Sequence, residues 1–136
     1  MKIEKTIFII PMGKPRMTKS DKWKKRECVQ KYWAFKDIMK MFLPEVKHID
    51  PIDVSWIAYF PIPKSWSKKK RAAYCGKYHR ARPDRDNIDK AILDALFEND
   101  AVVSKGTTEK RWDDGAGPRI EISITGISNN QLEFGN

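Results

Sequence analysis

Cysteine is nearly absent from this chain. Cys28 and Cys75 are the only two in 136 residues, and the only histidines are His48 and His79. Both cysteines sit in Lys/Arg-rich surroundings and no Cys-x-x-Cys spacing exists. A secreted disulfide scaffold and a zinc site of the usual ligand spacing are therefore excluded, and two reduced thiols are expected. Long apolar runs are also missing: none approaches the roughly 18 residues that a membrane span needs. The start Met1-Lys2-Ile3-Glu4-Lys5 lacks the apolar stretch of a signal peptide, so an intracellular, cytoplasmic protein with no membrane partner is expected. The third scarcity is local, for no acidic residue occurs between Lys64 and Arg82.

What is present fits one small domain. A chain of 136 residues buries roughly two-thirds of its unfolded surface, enough for a core without staples. Five Trp, six Phe and four Tyr supply bulky groups for it. The 27 Lys and Arg outnumber 18 Asp and Glu, leaving a net charge of +9. An excess of that size favours a polyanionic partner, most simply nucleic acid, because each cation near a phosphate releases condensed counterions.

Periodicity gives the organisation. Ile3 to Ile10 reads as a strand closed by Pro11, followed by a basic loop from Met12 to Ser20. Ser20-Asp21 is a candidate helix start, and Cys28, Tyr32, Phe35, Met39 and Phe42 recur at spacings of three and four. Ile52, Val54, Trp56, Ala58 and Phe60 alternate as in a half-buried strand, ended by Pro61 and Pro63. The acid-free segment then interleaves Lys64, Lys68, Lys69, Lys70, Arg71, Lys77, Arg80 and Arg82 with Trp66, Tyr74 and Tyr78. A second helix carries Ile88, Ala91, Ile92, Ala95 and Leu96 on one stripe, with Asp86 or Asn87 as N-cap. Ala101–Val103 reads as a short strand that Thr107–Trp112 can pair with. Asp113-Asp114-Gly115 reads as the turn into a last strand of Ile120, Ile122 and Ile124. The expected fold is α+β (mixed α/β), a layered sandwich with a small mixed sheet packed on two helices in the order β-α-β-α-β-β-β. One domain over residues 1–126 and a polar tail over 127–136 are expected.

The segment Asp84-Arg85-Asp86-Asn87 carries the strongest chemical signal. In an extended chain, residues two apart face the same way, and Pro83 favours extended geometry before it. Two carboxylates held together repel unless a cation sits between them, and Mg²⁺, with oxygen ligands at about 2.0–2.1 Å, satisfies that need. Asp100, after the second helix, is a third candidate, and Lys90 lies one turn beyond Asp86. Each has a plainer reading beside it. Asp86 could cap the helix, Lys90 could pair with Asp86 or Asp94, and Asp100 could be a turn residue. The basic run could be a solvated loop.

The whole string decides between these. Pro83-Asp84-Arg85-Asp86-Asn87-Ile88-Asp89-Lys90-Ala91, then Asp94-Ala95-Leu96, then Asn99-Asp100-Ala101-Val102-Val103, resembles the core signature of the RusA-type Holliday-junction resolvases. That resemblance covers most of the chain to about Gly126. It implies a homodimeric endonuclease of bacteria and their phages or prophages, which uses Mg²⁺, with Mn²⁺ able to substitute, to resolve four-way junction DNA. Carried over residue by residue, it makes Asp84, Asp86 and Asp100 the metal-holding catalytic carboxylates and Lys90 the essential lysine. The chain departs from the family pattern in having Asn99-Asp100 where many members have an acidic pair. Its early loop reads Gly13-Lys14-Pro15-Arg16, without the Asn common there, which puts the DNA contacts of that loop in question. Lys14, Arg16, Lys68, Lys69, Lys70, Arg71, Lys77, Arg80 and Arg82 are expected to bind DNA phosphates; Trp66, Tyr74 or Tyr78 could stack on an opened base, though core packing is the plainer reading of any single one. The competing readings are a basic protein that binds branched DNA or RNA without cutting it, and a nuclease acting on other branched or single-stranded DNA.

Overall fold

In the computed structural model, which describes residues 1–16 and 26–128, four strands and three α-helices follow one another. They are β1 (Lys2–Ile7), α1 (Glu27–Phe42), β2 (Ile49–Phe60), α2 (Lys68–Tyr74), α3 (Arg85–Leu96), β3 (Thr108–Trp112) and β4 (Arg119–Ser128). The strands form one mixed sheet in the order β1-β4-β2-β3. β4 pairs antiparallel with both β1 and β2, whereas β3 lies parallel to β2. The expected α+β sandwich of a mixed sheet and helices is observed.

Period-two alternation sets the core face. The register puts Ile3, Ile124 and Val54 in one row and Ile7, Ile120 and Ala58 in another, all buried. Trp56 lies beside Ile122 in the row between them. α1 packs on this face through Tyr32, Phe35 and Met39, and α3 through Ile88, Ala91, Ile92 and Ala95. Each fully buried Ile contributes roughly 1.5–3 kcal/mol, so this layer is the main source of stability. Two polar bonds fix how α3 sits. Trp56 Nε1 donates to Asp89 Oδ1 at 2.8 Å, and the Tyr32 hydroxyl donates to Asp94, joining α3 to β2 and to α1.

Several expectations are corrected. Cys28 is exposed and Val29 takes its place in the buried stripe of α1, while Phe42 is 44% exposed at the helix end. The proposed helix start at Ser20-Asp21, Lys19 in the basic loop and the tail from Asn129 onward lie outside the described residues. β1 ends at Ile7 rather than Ile10, and β4 continues through Ile127 to Ser128. Ile52 is exposed because the pairing of β2 with β4 shifts register between Pro51 and Asp53, turning its side chain away from the core row. Ala101–Val103 is no strand: Asp100–Val102 is a single 3-10 turn, with Asn99 accepting a hydrogen bond from the Ala101 N–H. The 108–112 strand therefore pairs with β2 instead. Asp113-Asp114-Gly115 is not a hairpin turn, since β2 lies between β3 and β4. It belongs to a crossover fastened by Arg119, which is buried against Tyr59 and bonded to both oxygens of Asp114. Those bonds, with the Ala116 N–H, hold the Asp114 carboxyl down at about 2. Within the basic run, Ser67 accepts a bond from the Lys70 N–H and starts α2, a helix that sequence periodicity does not reveal.

Candidate functional site

The signature turn is built by the start of α3. Asp84 is the N-cap with extended backbone (φ −67°, ψ 149°), and its carbonyl accepts from the N–H groups of Asn87 and Ile88 at 3.1 Å. The cap is thus Asp84, not Asp86 or Asn87. Arg85 is already helical, so Asp84 and Asp86 are not two neighbours on one extended face. Asp86 stands in the first turn, where a negative charge is favoured by the helix dipole. The Asp84 carboxylate makes no capping bond. Both carboxylates are exposed, and neither makes an ion pair among the described residues. The plain capping reading of Asp86 is therefore not what the fold uses. Lys90 is also exposed and unpaired among the described residues, one turn along from Asp86, because Asp94 is already engaged. Burial would raise the Asp94 carboxyl, but the Tyr32 hydroxyl, Lys36 at 3.3 Å and Lys14 at 3.8 Å outweigh it and hold it below its usual value.

Two contacts lock this turn from outside. The Lys14 N–H donates to the Asn87 carbonyl at 3.2 Å, and Asn87 Nδ2 donates to the Lys14 carbonyl at 3.1 Å. Gly13 permits the approach: a Cβ there would lie 2.6 Å from Asn87 Nδ2 and 3.0 Å from Pro83 Cβ. The early basic loop is consequently docked beside the carboxylates, with Arg16 exposed at its end. From the other side Lys110 Nζ donates to the carbonyls of Ala81 at 2.6 Å and Pro83 at 2.8 Å. Burial pushes its pKa down, with Asp84 pulling it up and Arg85 pushing it further down. Neither the Asn87 clasp nor Lys110 is legible in the sequence, since both join segments far apart in the chain.

The remaining cations fall in two places. Lys68, Lys69, Lys70 and Arg71 are exposed on α2, with Lys70 Nζ drawn over the Trp66 ring at 4.1 Å. Lys68 and Arg71 also line a cleft of about 580 Å³ with Lys64. Lys77, Arg80 and Arg82 are exposed along the segment leading to Asp84. Of the aromatic candidates, Trp66 and Tyr74 pack against each other and Trp112, whereas Tyr78 is 60% exposed.

Exposed carboxylate oxygens without ion-pair partners are hard donors that suit Mg²⁺, which is commonly held by one or two carboxylates with water and phosphate oxygens. Asp84 and Asp86 fit that description. Among the described residues, however, no three His, Cys, Asp or Glu side chains are grouped to hold a metal ion. Asp100, at the start of the 3-10 turn that follows α3, is exposed. No helix of the described residues is long and apolar enough to cross a membrane.

A comparison with curated proteins finds no match. The family model of the endodeoxyribonuclease RusA matches residues 8–125, a span that takes in every candidate residue from Lys14 to Asp100. With that match over most of its 136 residues, the chain belongs to the RusA endodeoxyribonuclease family.

Proposed function

We propose that this endodeoxyribonuclease is a Mg²⁺-dependent resolvase of four-way (Holliday) DNA junctions, working as a cytoplasmic homodimer. The observation that carries the reading is the clasp between Lys14 and Asn87, which keeps a cation-bearing loop against the turn that presents Asp84 and Asp86. Carboxylates alone repel a phosphodiester, and cations alone only bind it. Their juxtaposition suits cutting.

Asp84 and Asp86 are the groups that would hold the ion, which when bound lowers the pKa of a coordinated water and offsets charge at the scissile phosphate. Asp100 is proposed as the third carboxylate of the set, carried by the segment that leaves α3. Lys90, four residues and so about 6 Å along the axis from Asp86, adds positive charge beside the phosphate as charge builds up in the transition state. Lys14 and Arg16 on one side, and Lys77, Arg80 and Arg82 on the other, grip the strand on either side of the cut through its phosphates. The α2 cations, Lys68, Lys69, Lys70 and Arg71, track a DNA arm, positioning it without reading sequence. A junction with approximate two-fold symmetry needs two equivalent cuts, which a two-fold dimer supplies with two equivalent sites.

A single gel tests the reading. A synthetic four-way junction and a linear duplex are each incubated with Mg²⁺ or EDTA, using wild type and Asp86→Asn. Paired symmetric nicks confined to the junction, the wild type and Mg²⁺ are expected, with junction binding retained by Asp86→Asn. Undiminished cutting by that variant would sink the assignment, and equal cutting of the duplex would redirect it to other DNA.

A further inference from the structure

β3 is an edge strand, and only part of its edge is covered. The His79 N–H donates to the Lys110 carbonyl and the Trp112 N–H to the Lys77 carbonyl, with Tyr78 bridged to Arg111 between them. Below this short bridge a cavity of about 490 Å³ opens, lined by Tyr78, His79, Arg85, Asp86, Thr108, Lys110 and Glu109, the last of these engaged by Arg111. Its volume is in the range of small-ligand sites, and its wall includes one of the two carboxylates assigned to cutting.

The lining has a distinct chemistry. His79 is 5% exposed, stacked on Phe60 at 4.1 Å and tilted against Trp112 at 4.4 Å, and its Nδ1 has no hydrogen-bond partner among the described residues. Burial, aided by Lys110, pushes its pKa down to about 4, so the His79 ring is an uncharged aromatic surface at neutral pH among mostly charged neighbours. Tyr78 stands at the rim. The Arg111 guanidinium lies 4.5 Å from its ring centroid and is itself held by Glu109 and by the Gly76 carbonyl at 2.9 Å. The ring is therefore pinned in place while 60% exposed. Arg85, between the two carboxylates in sequence, also lines the cavity and is exposed without an ion pair among the described residues.

We infer that this cavity is a nucleotide subsite, where Tyr78 stacks on an unpaired base next to the scissile phosphate and Arg85 meets the neighbouring phosphate. A base inside a duplex offers no face to a side chain, so the site selects DNA whose stacking is already broken, as it is at a branch point. Base stacking on an aromatic ring is sequence-tolerant, so the subsite favours open structure over any particular base. The inference rests on the proposed cutting role of Asp84 and Asp86 for its meaning, but not for its test.

Full-length protein is mixed in EDTA with a four-way junction carrying 5-iodouracil at the nucleotides flanking the branch point, and separately with a single strand of the same sequence. Long-wavelength irradiation is expected to crosslink the DNA to Tyr78 in both cases. The yield should fall about tenfold in Tyr78→Ala and return in Tyr78→Phe, which keeps the ring. Arg85→Ala should weaken single-strand binding and flatten its salt dependence by about one phosphate contact. A crosslink unchanged in Tyr78→Ala, or mapping to another residue, overturns the inference. Cutting by Asp86→Asn is scored separately, so the assignment of the carboxylates can fail while the crosslink still decides the subsite.

Discussion

Asn87 and Lys14 hold each other by two hydrogen bonds, one from each partner, across 73 positions of sequence. The asparagine of the signature thus serves the loop rather than the helix: it caps nothing, and its amide ties the first basic segment to the carboxylate turn. Replacing it with Ala removes one hydrogen bond and should cost only about 0.5–1.5 kcal/mol of stability. Junction binding and cutting should fall further than that, because the loop carrying Lys14 and Arg16 is then held at the turn by one backbone bond instead of two hydrogen bonds. Urea titration alongside junction affinity checks the expectation, and equal stability with unchanged affinity would refute it.

Lys110 should matter to cutting although it is no candidate ligand. Its ammonium joins the carbonyls of Ala81 and Pro83 immediately before Asp84. Lys110→Met leaves two carbonyls without their donor and lets the turn shift, and displacement of a reacting group by even 1 Å can cost about a hundredfold in rate. A fall in kcat of ten- to a hundredfold, with KM and the circular-dichroism spectrum little changed, is expected. A change confined to KM would point to DNA contact instead.

His79 makes stability depend on pH in a defined window. Its folded pKa of about 4 lies below the ordinary 6.5, so the unfolded chain takes up a proton first. Stability is unaffected above pH 6.5 and is lost as pH falls from 6.5 towards 4, by at most about 3 kcal/mol. His79→Phe keeps an aromatic ring against Phe60 and Trp112 and should abolish that part of the pH dependence, read from urea midpoints between pH 4 and 7. A variant that keeps the wild-type slope would show that another group carries it.

Asp100 and the Asp84/Asp86 pair should separate experimentally. Since no three such side chains are grouped among the described residues, Asp100→Asn is expected to leave Mn²⁺ affinity of the free protein unchanged while removing junction cutting. Asp84→Asn and Asp86→Asn should each weaken that affinity. Calorimetric titration without DNA distinguishes them, and equal losses from all three variants would mean that the set is already assembled in the free chain.

The parts legible in the sequence are those whose signal is local. Alternating Ile120, Ile122 and Ile124 and the stripe of Ile88, Ala91, Ile92 and Ala95 declare their faces within a few residues, and the signature string is nearly contiguous. α2 was hidden because its seven residues bury no side chain, leaving no apolar period to read. Ala101–Val103 reads as strand by residue type, yet Asp100–Val102 closes into a 3-10 turn and the chain meets the edge of β2 only from Ser104 onward. The pairing of residues 108–112 with 56–60, the Asn87 clasp, the Lys110 bonds and the Tyr78 cavity all depend on contacts between distant segments, which no local pattern encodes.

The sheet order also carries a consequence for how the protein is made. Among the described residues β1 pairs with β4 alone, so Ile3 and Ile7 meet Ile124 and Ile120 across more than a hundred residues. Loop closure of that length is slow. On a ribosome the first strand emerges with no edge to join and waits until the last strand has been synthesised. Its two isoleucines stay open to water through most of that interval. Lys2 and Glu4, which alternate with Ile3, and Lys5, which stands between the two isoleucines, are charges that keep the waiting strand from pairing with another copy.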